Sequence, residues 1–272
     1  MNERVRSKRT LQPFRIRLPR ILKPETAHFI RPDWPASAHV HAVCTTRTGG
    51  VSRAPYDSLN LGDHVGDDPR AVAENRARLR NVLGLPAEPR WLQQVHGNCA
   101  VDVAAQTLPC QADAAYTDQP GVVCAVLTAD CLPLLLCDRA GTRVAAVHAG
   151  WRGLANGVIE RALESFTACG SELMAWLGPA IGPQAFEVGD EVRAEFVAHD
   201  AAAVAAFRRA RAEHWYADLY KLARQRLAAR AVSAVYGGDY CTHTDTARFY
   251  SYRRDGSTGR MASLIWLDTL SV

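Results

Sequence analysis

The stretch Cys124–Gly153, CAVLTADCLPLLLCDRAGTRVAAVHAGWRG, constrains this chain more than any other. It reads as two apolar strands joined by a turn, with reactive side chains where each apolar run breaks. Cys131 follows the Thr128-Ala129-Asp130 step between Leu127 and Leu132, and His148 ends the run Val144-Ala145-Ala146-Val147. His148 then leads directly into Ala149-Gly150-Trp151-Arg152-Gly153. A thiol and an imidazole at strand ends, beside a glycine-flanked arginine, mark a candidate site. His96 in WLQQVHGN lies at a comparable strand exit. The central expectation is that His96, Cys131 and His148 meet around one metal ion. A catalytic zinc takes three protein ligands and keeps a fourth position open. The spacings, 131 − 96 = 35 and 148 − 131 = 17, are too long for one helix or knuckle. They suit ligands gathered from the ends of separate strands. On pattern alone, a buried thiol and two hydrogen-bonded histidines remain the alternative.

With 272 residues and 48% hydrophobic content, the chain is long enough for a sizeable core. Nothing linker-like divides residues 38–272, so one α/β or α+β domain is expected, a mixed β-sheet core flanked by helices. Residues 1–37 read as a basic leader; residues 1–23 carry eight of the 32 Lys and Arg. It has no apolar core for a secretory signal, and a solvated segment explains it better than a nucleic-acid or lipid contact. No apolar run approaches the ~20 residues of a membrane span. Eight cysteines in a chain this long, with no CxxC, argue against a disulfide framework and for a reducing, cytoplasmic setting. Cys44, Cys124 and Cys137 lie in apolar runs and read as core residues.

In chain order, a strand is expected at about His39–Thr46. It ends in Arg47-Thr48-Gly49-Gly50-Val51-Ser52, a loop rich in backbone donors that suits an anion. Asp68 and Pro69 fit the start of a helix, with Val72, Leu79, Val82 and Leu83 as its apolar stripe and Gly84 at its end. A short strand is expected at Trp91–Gly97. Helices are expected at Asn156–Ala168 and about Tyr216–Ala229, with Asp190 capping another. Strands are expected at Leu173–Leu177 and Met261–Leu267, the second fit for full burial. The approach to the Asn156 helix holds Arg152, a second candidate anion contact.

The motifs CTTRTGGVS, YDSLNLG, WLQQVHG, LTADCLPLLLCD, VAAVHAGWRGL, LGPAIGP, FEVGDEV and FYSYRRDGSTGRMASLIWL occur in this order. Together they resemble the YfiH family, also called laccase-domain or polyphenol oxidase proteins, peptidoglycan editing factors, and purine nucleoside phosphorylases of the laccase-domain type. The resemblance covers about residues 38–268. It implies zinc ligands at His96 in QVHG, Cys131 in TADC and His148 in VHAGW. It also implies phosphorolysis of adenosine, inosine, guanosine and methylthioadenosine, together with adenosine deamination. A zinc-activated water suits attack on the purine carbon that bears the amine. Phosphorolysis needs a bound phosphate, for which Arg47 and Arg152 are the candidates. Asp130, next to Cys131, is a candidate proton shuttle or orienting residue, and Arg254 is another possible anion contact. Two other enzyme readings stay open. One is copper-dependent phenol oxidation, for which paired histidine motifs are scarce here. The other is a cysteine hydrolase with Cys131 as nucleophile and His148 as base, acting on a cell-wall precursor.

Overall fold

The computed structural model describes residues 29–268. Two sheets stack face to face, and each carries helices or loops on its outer side. One sheet has the order β1 (Phe29–Ile30), β2 (Val40–Thr45), β13 (Met261–Leu267), β5 (Val123–Thr128). The other runs β12 (Ala234–Gly237), β8 (Leu173–Leu177), β6 (Leu132–Asp138), β7 (Val144–Ala149), β4 (Ala114–Thr117), β3 (Ala100–Asp102). In the second sheet β12 and β8, and β3 and β4, pair in parallel, while the remaining pairs are antiparallel. A small third sheet joins β10 (Phe207–Arg211), β11 (His214–Ala217) and β9 (Glu187–Gly189).

Period-2 alternation explains why the central strands are apolar throughout. In β6, Leu135 and Cys137 face the other sheet and meet Cys124, Val126 and Ile265. Leu132, Leu134 and Leu136 face the opposite way, onto the helical layer. In β5 and β13, Val123, Ala125, Leu264 and Trp266 pack under Leu79 of the helix α1 (Pro69–Leu83). A strand covered on both faces needs an uninterrupted apolar run. Each buried Leu or Val contributes roughly 1.5–3 kcal/mol, enough to override local propensity. The expected mixed-sheet single domain flanked by helices is the architecture observed.

The Cys124–Gly153 stretch holds three strands, not two. β5 belongs to one sheet, and β6 and β7 belong to the other. The Ala129–Cys131 break is where the chain crosses between sheets, and that crossing places Cys131 at the edge of their interface. The N-terminal helix matches expectation. Asp68 Oδ1 accepts from Arg70 N at 2.9 Å, Pro69 opens α1, and Gly84 closes it at φ 59°. Val82, expected in the stripe, is 52% exposed; Asn75 is buried instead. Of the expected Asn156–Ala168 helix, α3 (Val158–Leu163) forms, and a separate short helix α2 (Trp151–Ala155) precedes it, parted from it by Gly157 at φ 85°. Tyr216 and Ala217 end β11, and α5 starts only at Leu219, where Asp218 accepts from Lys221 N. Helix α4 (Asp190–His199) includes Asp190 as its first residue. Trp91–Gly97 is not a strand beyond bridges at Arg90 and Gln93. Most of the basic leader lies outside the described residues, while Phe29 and Ile30 pair with Thr45 and Cys44, ahead of the boundary expected at 38.

Candidate metal centre

His148 is the penultimate residue of β7, where Leu132 pairs with Ala149 across the ladder. One step beyond that pair, Cys131 lies opposite Gly150. A Cβ on Gly150 would stand 3.0 Å from Cys131 Sγ and 3.1 Å from His96 Cδ2, so glycine there is a condition of close approach. Likewise a Cβ on Gly153 would meet Gly97 O at 2.6 Å. The two glycines around Trp151-Arg152 therefore make room for the His96 turn and for Cys131.

The three expected ligands converge. Their donor atoms lie within 4.8 Å of one another, and Cys131 Sγ is 3.9 Å from His96 Nε2. Tetrahedral zinc, with bonds of ~2.3 Å to sulfur and ~2.0–2.1 Å to nitrogen, separates S from N by about 3.6 Å. The His96 and His148 rings meet edge to face, centroids 4.8 Å apart. His148 is buried, Cys131 is half-buried and His96 is exposed, so the cluster opens to solvent on the His96 side. Two imidazoles and one thiolate form a donor set that suits zinc and is also compatible with copper.

A fully buried carboxylate organises this group. Asp113 accepts from Val95 N at 3.3 Å, His96 N at 2.9 Å and Gly97 N at 2.7 Å. It also hydrogen-bonds His148 Nδ1 at 2.8 Å. Three successive amides pointing at one acceptor form an anion nest, which needs a left-handed residue within it. His96 supplies that residue at φ 60°, an uncommon conformation for a non-glycine. Because Nδ1 is bound to Asp113, Nε2 of His148 faces the cluster. Burial opposes ionisation of Asp113, but the hydrogen bond and charge of His148 and the amides of Gly97 and Val95 prevail, so its pKa is lowered. Burial likewise acts against a charged Cys131. The charge and hydrogen bond of His148, then those of His96, outweigh it and lower the thiol pKa. His148 is raised in turn: burial lowers it, and Cys131 and Asp113 more than compensate.

Asp113 has no place among the residues expected from sequence. Its one signal is an acid inside the alanine run Ala112-Asp113-Ala114-Ala115. The other expected residues are placed as follows. Asp130, at φ 92°, accepts from Thr242 Oγ1 at 2.6 Å and from Arg253 N at 2.7 Å, so both its oxygens are engaged in holding the crossover. Arg47 donates to Asp57 O, Asp57 Oδ2 and Thr246 O and lies over the Tyr250 ring. Its loop turns inward: Gly50 N donates to Ser58 Oγ, Val51 N to Asn75 Oδ1 and Ser52 N to Ser58 O. These contacts engage the Arg47 guanidinium and the Gly50, Val51 and Ser52 amides of the expected anion cradle within the chain. Arg152 is exposed and lies over its neighbour Trp151, on a helix of only five residues. Arg254 donates to the Thr242, His243 and Phe249 carbonyls and pairs with Asp255. Beside Cys131 a recess of about 120 Å³ is walled by Trp151, Ile181, Phe186, Leu219 and Tyr252. No helix among the described residues is long and apolar enough to cross a membrane.

Known proteins share both sequence and fold with this chain. It is 59% identical over 240 residues to a purine nucleoside phosphorylase of Pseudomonas aeruginosa, covering 88% of this chain and 98% of the relative. Identity to the purine nucleoside phosphorylase YfiH of Escherichia coli is 55%, with 88% and 98% covered. The crystal structure of a Neisseria meningitidis protein superposes with a TM-score of 0.86 at 51% identity, over 89% of this chain and all of that one. YlmD of Geobacillus stearothermophilus gives 0.82 at 32%, over 92% of this chain and 99% of YlmD. The family described as multi-copper polyphenol oxidoreductase laccase matches residues 41–268, and with these relatives it establishes that the chain belongs to this laccase-domain, YfiH-type family.

Proposed function

We propose that this chain is a zinc-dependent purine nucleoside phosphorylase acting in the cytoplasm on adenosine, inosine, guanosine and methylthioadenosine, with adenosine deamination as a second activity. The observation that carries this reading is the His96–Cys131–His148 cluster, oriented by one buried carboxylate and set beside an aromatic-walled recess. The names of the relatives point the same way. His96, Cys131 and His148 would hold zinc, which would supply Lewis-acid chemistry at the recess.

The chain's own residues supply the rest. Asp113 fixes the His148 tautomer and the His96 backbone, so the donors are preorganised. Trp151 and Phe186 offer flat apolar walls for a purine and exclude water from its faces. In phosphorolysis the bond from C1′ to the base breaks, an oxygen of dihydrogen phosphate bonds to C1′, and the proton that phosphate gives up ends on the ring nitrogen of the leaving base. Asp130, with both oxygens engaged, positions the Cys131 turn in this reading and does not shuttle protons.

One observation favours a second reading. Cys131, His148 and Asp113 are arranged like a nucleophile, base and orienting acid, which suits a cysteine hydrolase acting on a cell-wall precursor. His96 has no task in such a triad, yet it points at the sulfur. That favours the metal. Copper-dependent phenol oxidation through several coppers is disfavoured because one group of donors is placed for an ion among the described residues.

Metal analysis combined with an adenosine-plus-phosphate assay tests the proposal, on wild type and on Cys131→Ala. Removing the thiolate from an open three-ligand site lowers base release by ~10²-fold or more. A chelator silences the wild type and zinc restores it. Base release that survives both treatments sinks the reading. Inactivation by a thiol alkylator with indifference to chelators favours the hydrolase.

A further inference from the structure

In the phosphorylase reading the phosphate needs a cationic partner; Arg47 is engaged elsewhere, Arg152 is exposed on a five-residue helix, and Arg253 at the recess has Nη1 on Glu187 O. β13 pairs antiparallel with β5, with Met261 opposite Thr128. One residue further, that register sets Arg260 across from Ala129, beside the Asp130–Cys131 crossover. The backbone N of Arg260 donates to Asn60 Oδ1 at 2.9 Å. Its stem passes over Gly62, where a Cβ would come within 2.8 Å of Arg260 Cγ. Its Nη1 donates to Thr258 O at 2.9 Å and Gly259 O at 3.1 Å. Stem and one nitrogen are thus fixed. Among the described residues, Nε and Nη2 have no hydrogen-bond partner and no carboxylate pairs with the group.

The half-buried Arg90 and Arg224 likewise have no carboxylate partner among the described residues, but each places two guanidinium nitrogens on carbonyls, where Arg260 places one. Arg47, Arg76 and Arg226, comparably enclosed, each have a carboxylate partner. Withdrawing a cation from water without a counter-ion is costly, and an anionic ligand removes the cost. Asp130 is near enough to be felt, as is Cys131, but both Asp130 oxygens are taken by Thr242 and Arg253. The guanidinium carbon lies 5.9 Å from the Tyr252 ring, which also walls the recess beside Cys131. The Nε–Nη2 edge is the flat two-donor fork that matches two oxygens of a phosphate.

We infer that Arg260 binds the phosphate co-substrate through its Nε–Nη2 edge, at the side of the recess next to the Cys131 crossover. This rests on the phosphorylase reading. In the zinc-loaded enzyme, Arg260→Gln raises the KM for phosphate in inosine phosphorolysis by roughly 10- to 100-fold, as expected for losing charge-assisted bonds. The KM for inosine and the zinc content stay as in wild type, and Arg260→Lys recovers part of the loss. A phosphate KM unchanged in both variants overturns the inference. In case the variants do not fold, wild type is treated with an arginine-selective dicarbonyl with and without inorganic phosphate, and modified peptides are mapped by mass spectrometry. Phosphate slows modification of Arg260 if the inference holds; equal rates overturn it. Protection of Arg260 in a wild type that performs no phosphorolysis upholds the phosphate site and refutes the phosphorylase reading instead.

Discussion

Asp113→Asn is the most searching perturbation of the metal centre, because it keeps the shape and removes the charge. The carboxylate accepts four hydrogen bonds, from Val95 N, His96 N, Gly97 N and His148 Nδ1, at 2.7 to 3.3 Å. An amide offers one oxygen and one NH2, so one side of the nest must meet a donor where it met an acceptor. If the NH2 faces His148, Nδ1 becomes the acceptor and the ring proton moves to Nε2, the atom that must be bare to ligate. If the NH2 faces Gly97 and Val95, two backbone donors lose their partner, at about 1–3 kcal/mol each when buried. The turn that holds His96 at φ 60° then loses what stabilises it. Loss of such an orienting group typically costs 10–100-fold in metal affinity. At about 1.4 kcal/mol per decade that is roughly 1.4–2.7 kcal/mol. The assay is zinc competition against a chromophoric chelator, with thermal unfolding of the metal-stripped protein alongside. Zinc affinity within about twofold of wild type, with unchanged unfolding, would show that Asp113 does not organise the cluster, and the tautomer argument would fall with it.

Two further outcomes follow from the same geometry. Gly150→Ala puts a methyl within about 3 Å of Cys131 Sγ and His96 Cδ2, so the mutant should lose metal on dialysis while its far-ultraviolet circular dichroism stays native; full metal retention would contradict the close approach. The pH dependence of the metal-free protein has a worked sign. The Cys131 pKa is lowered from 9.0 to about 6, so its contribution to stability is complete above 9.0 and lost as pH falls through about 6. The His148 pKa is raised from 6.5 to about 9, so its contribution is complete below 6.5 and lost as pH rises through about 9. The pair therefore stabilises the apo protein most between those limits, and zinc uptake near pH 7.5 must expel about one proton, from His148. Calorimetric titrations in buffers of different ionisation enthalpy read that proton directly, and a buffer-independent heat would contradict the thiolate–imidazolium pair.

How much of this was legible in sequence depends on range. The helix opened by Asp68 and Pro69 and closed by Gly84 was readable because a cap is a local device: one side chain, one amide, one turn. The three candidate ligands were readable as reactive side chains where apolar runs stop, and the family resemblance selected them from among nine histidines and eight cysteines. Three things were not legible, each for a physical reason. The crossover between sheets at Asp130 looks in sequence like any hairpin turn, because an apolar run does not reveal which sheet it joins. The helix α2 ahead of Gly157 was hidden because Gly150 and Gly153 make its five residues look like a loop. The Thr-Gly-Gly loop after Arg47 looks rich in free donors. Those donors are consumed by Ser58 and Asn75, distant in sequence and brought close by α1 packing over the sheet.

The same reasoning says where function-bearing charge should be sought. In this fold most enclosed arginines have partners on the chain, such as Arg226 with Glu160 or Arg143 with Asp118, and these hold elements together. A buried acid with every lone pair engaged, such as Asp113, orients its neighbours and has no capacity left for a substrate. A charged group left half-satisfied at the edge of a cleft is different: folding has carried the desolvation cost without the compensation. Arg260 fits that description beside the crossover that presents Cys131. Its position follows from strand register: it lies one residue beyond the Met261–Thr128 pair of one sheet, while Cys131 lies one residue ahead of the Leu132–Ala149 pair of the other. The short sheet-to-sheet crossover at 129–131 is thus where the end of β13 and the start of β6 come together, which is where the proposed phosphate contact is to be tested.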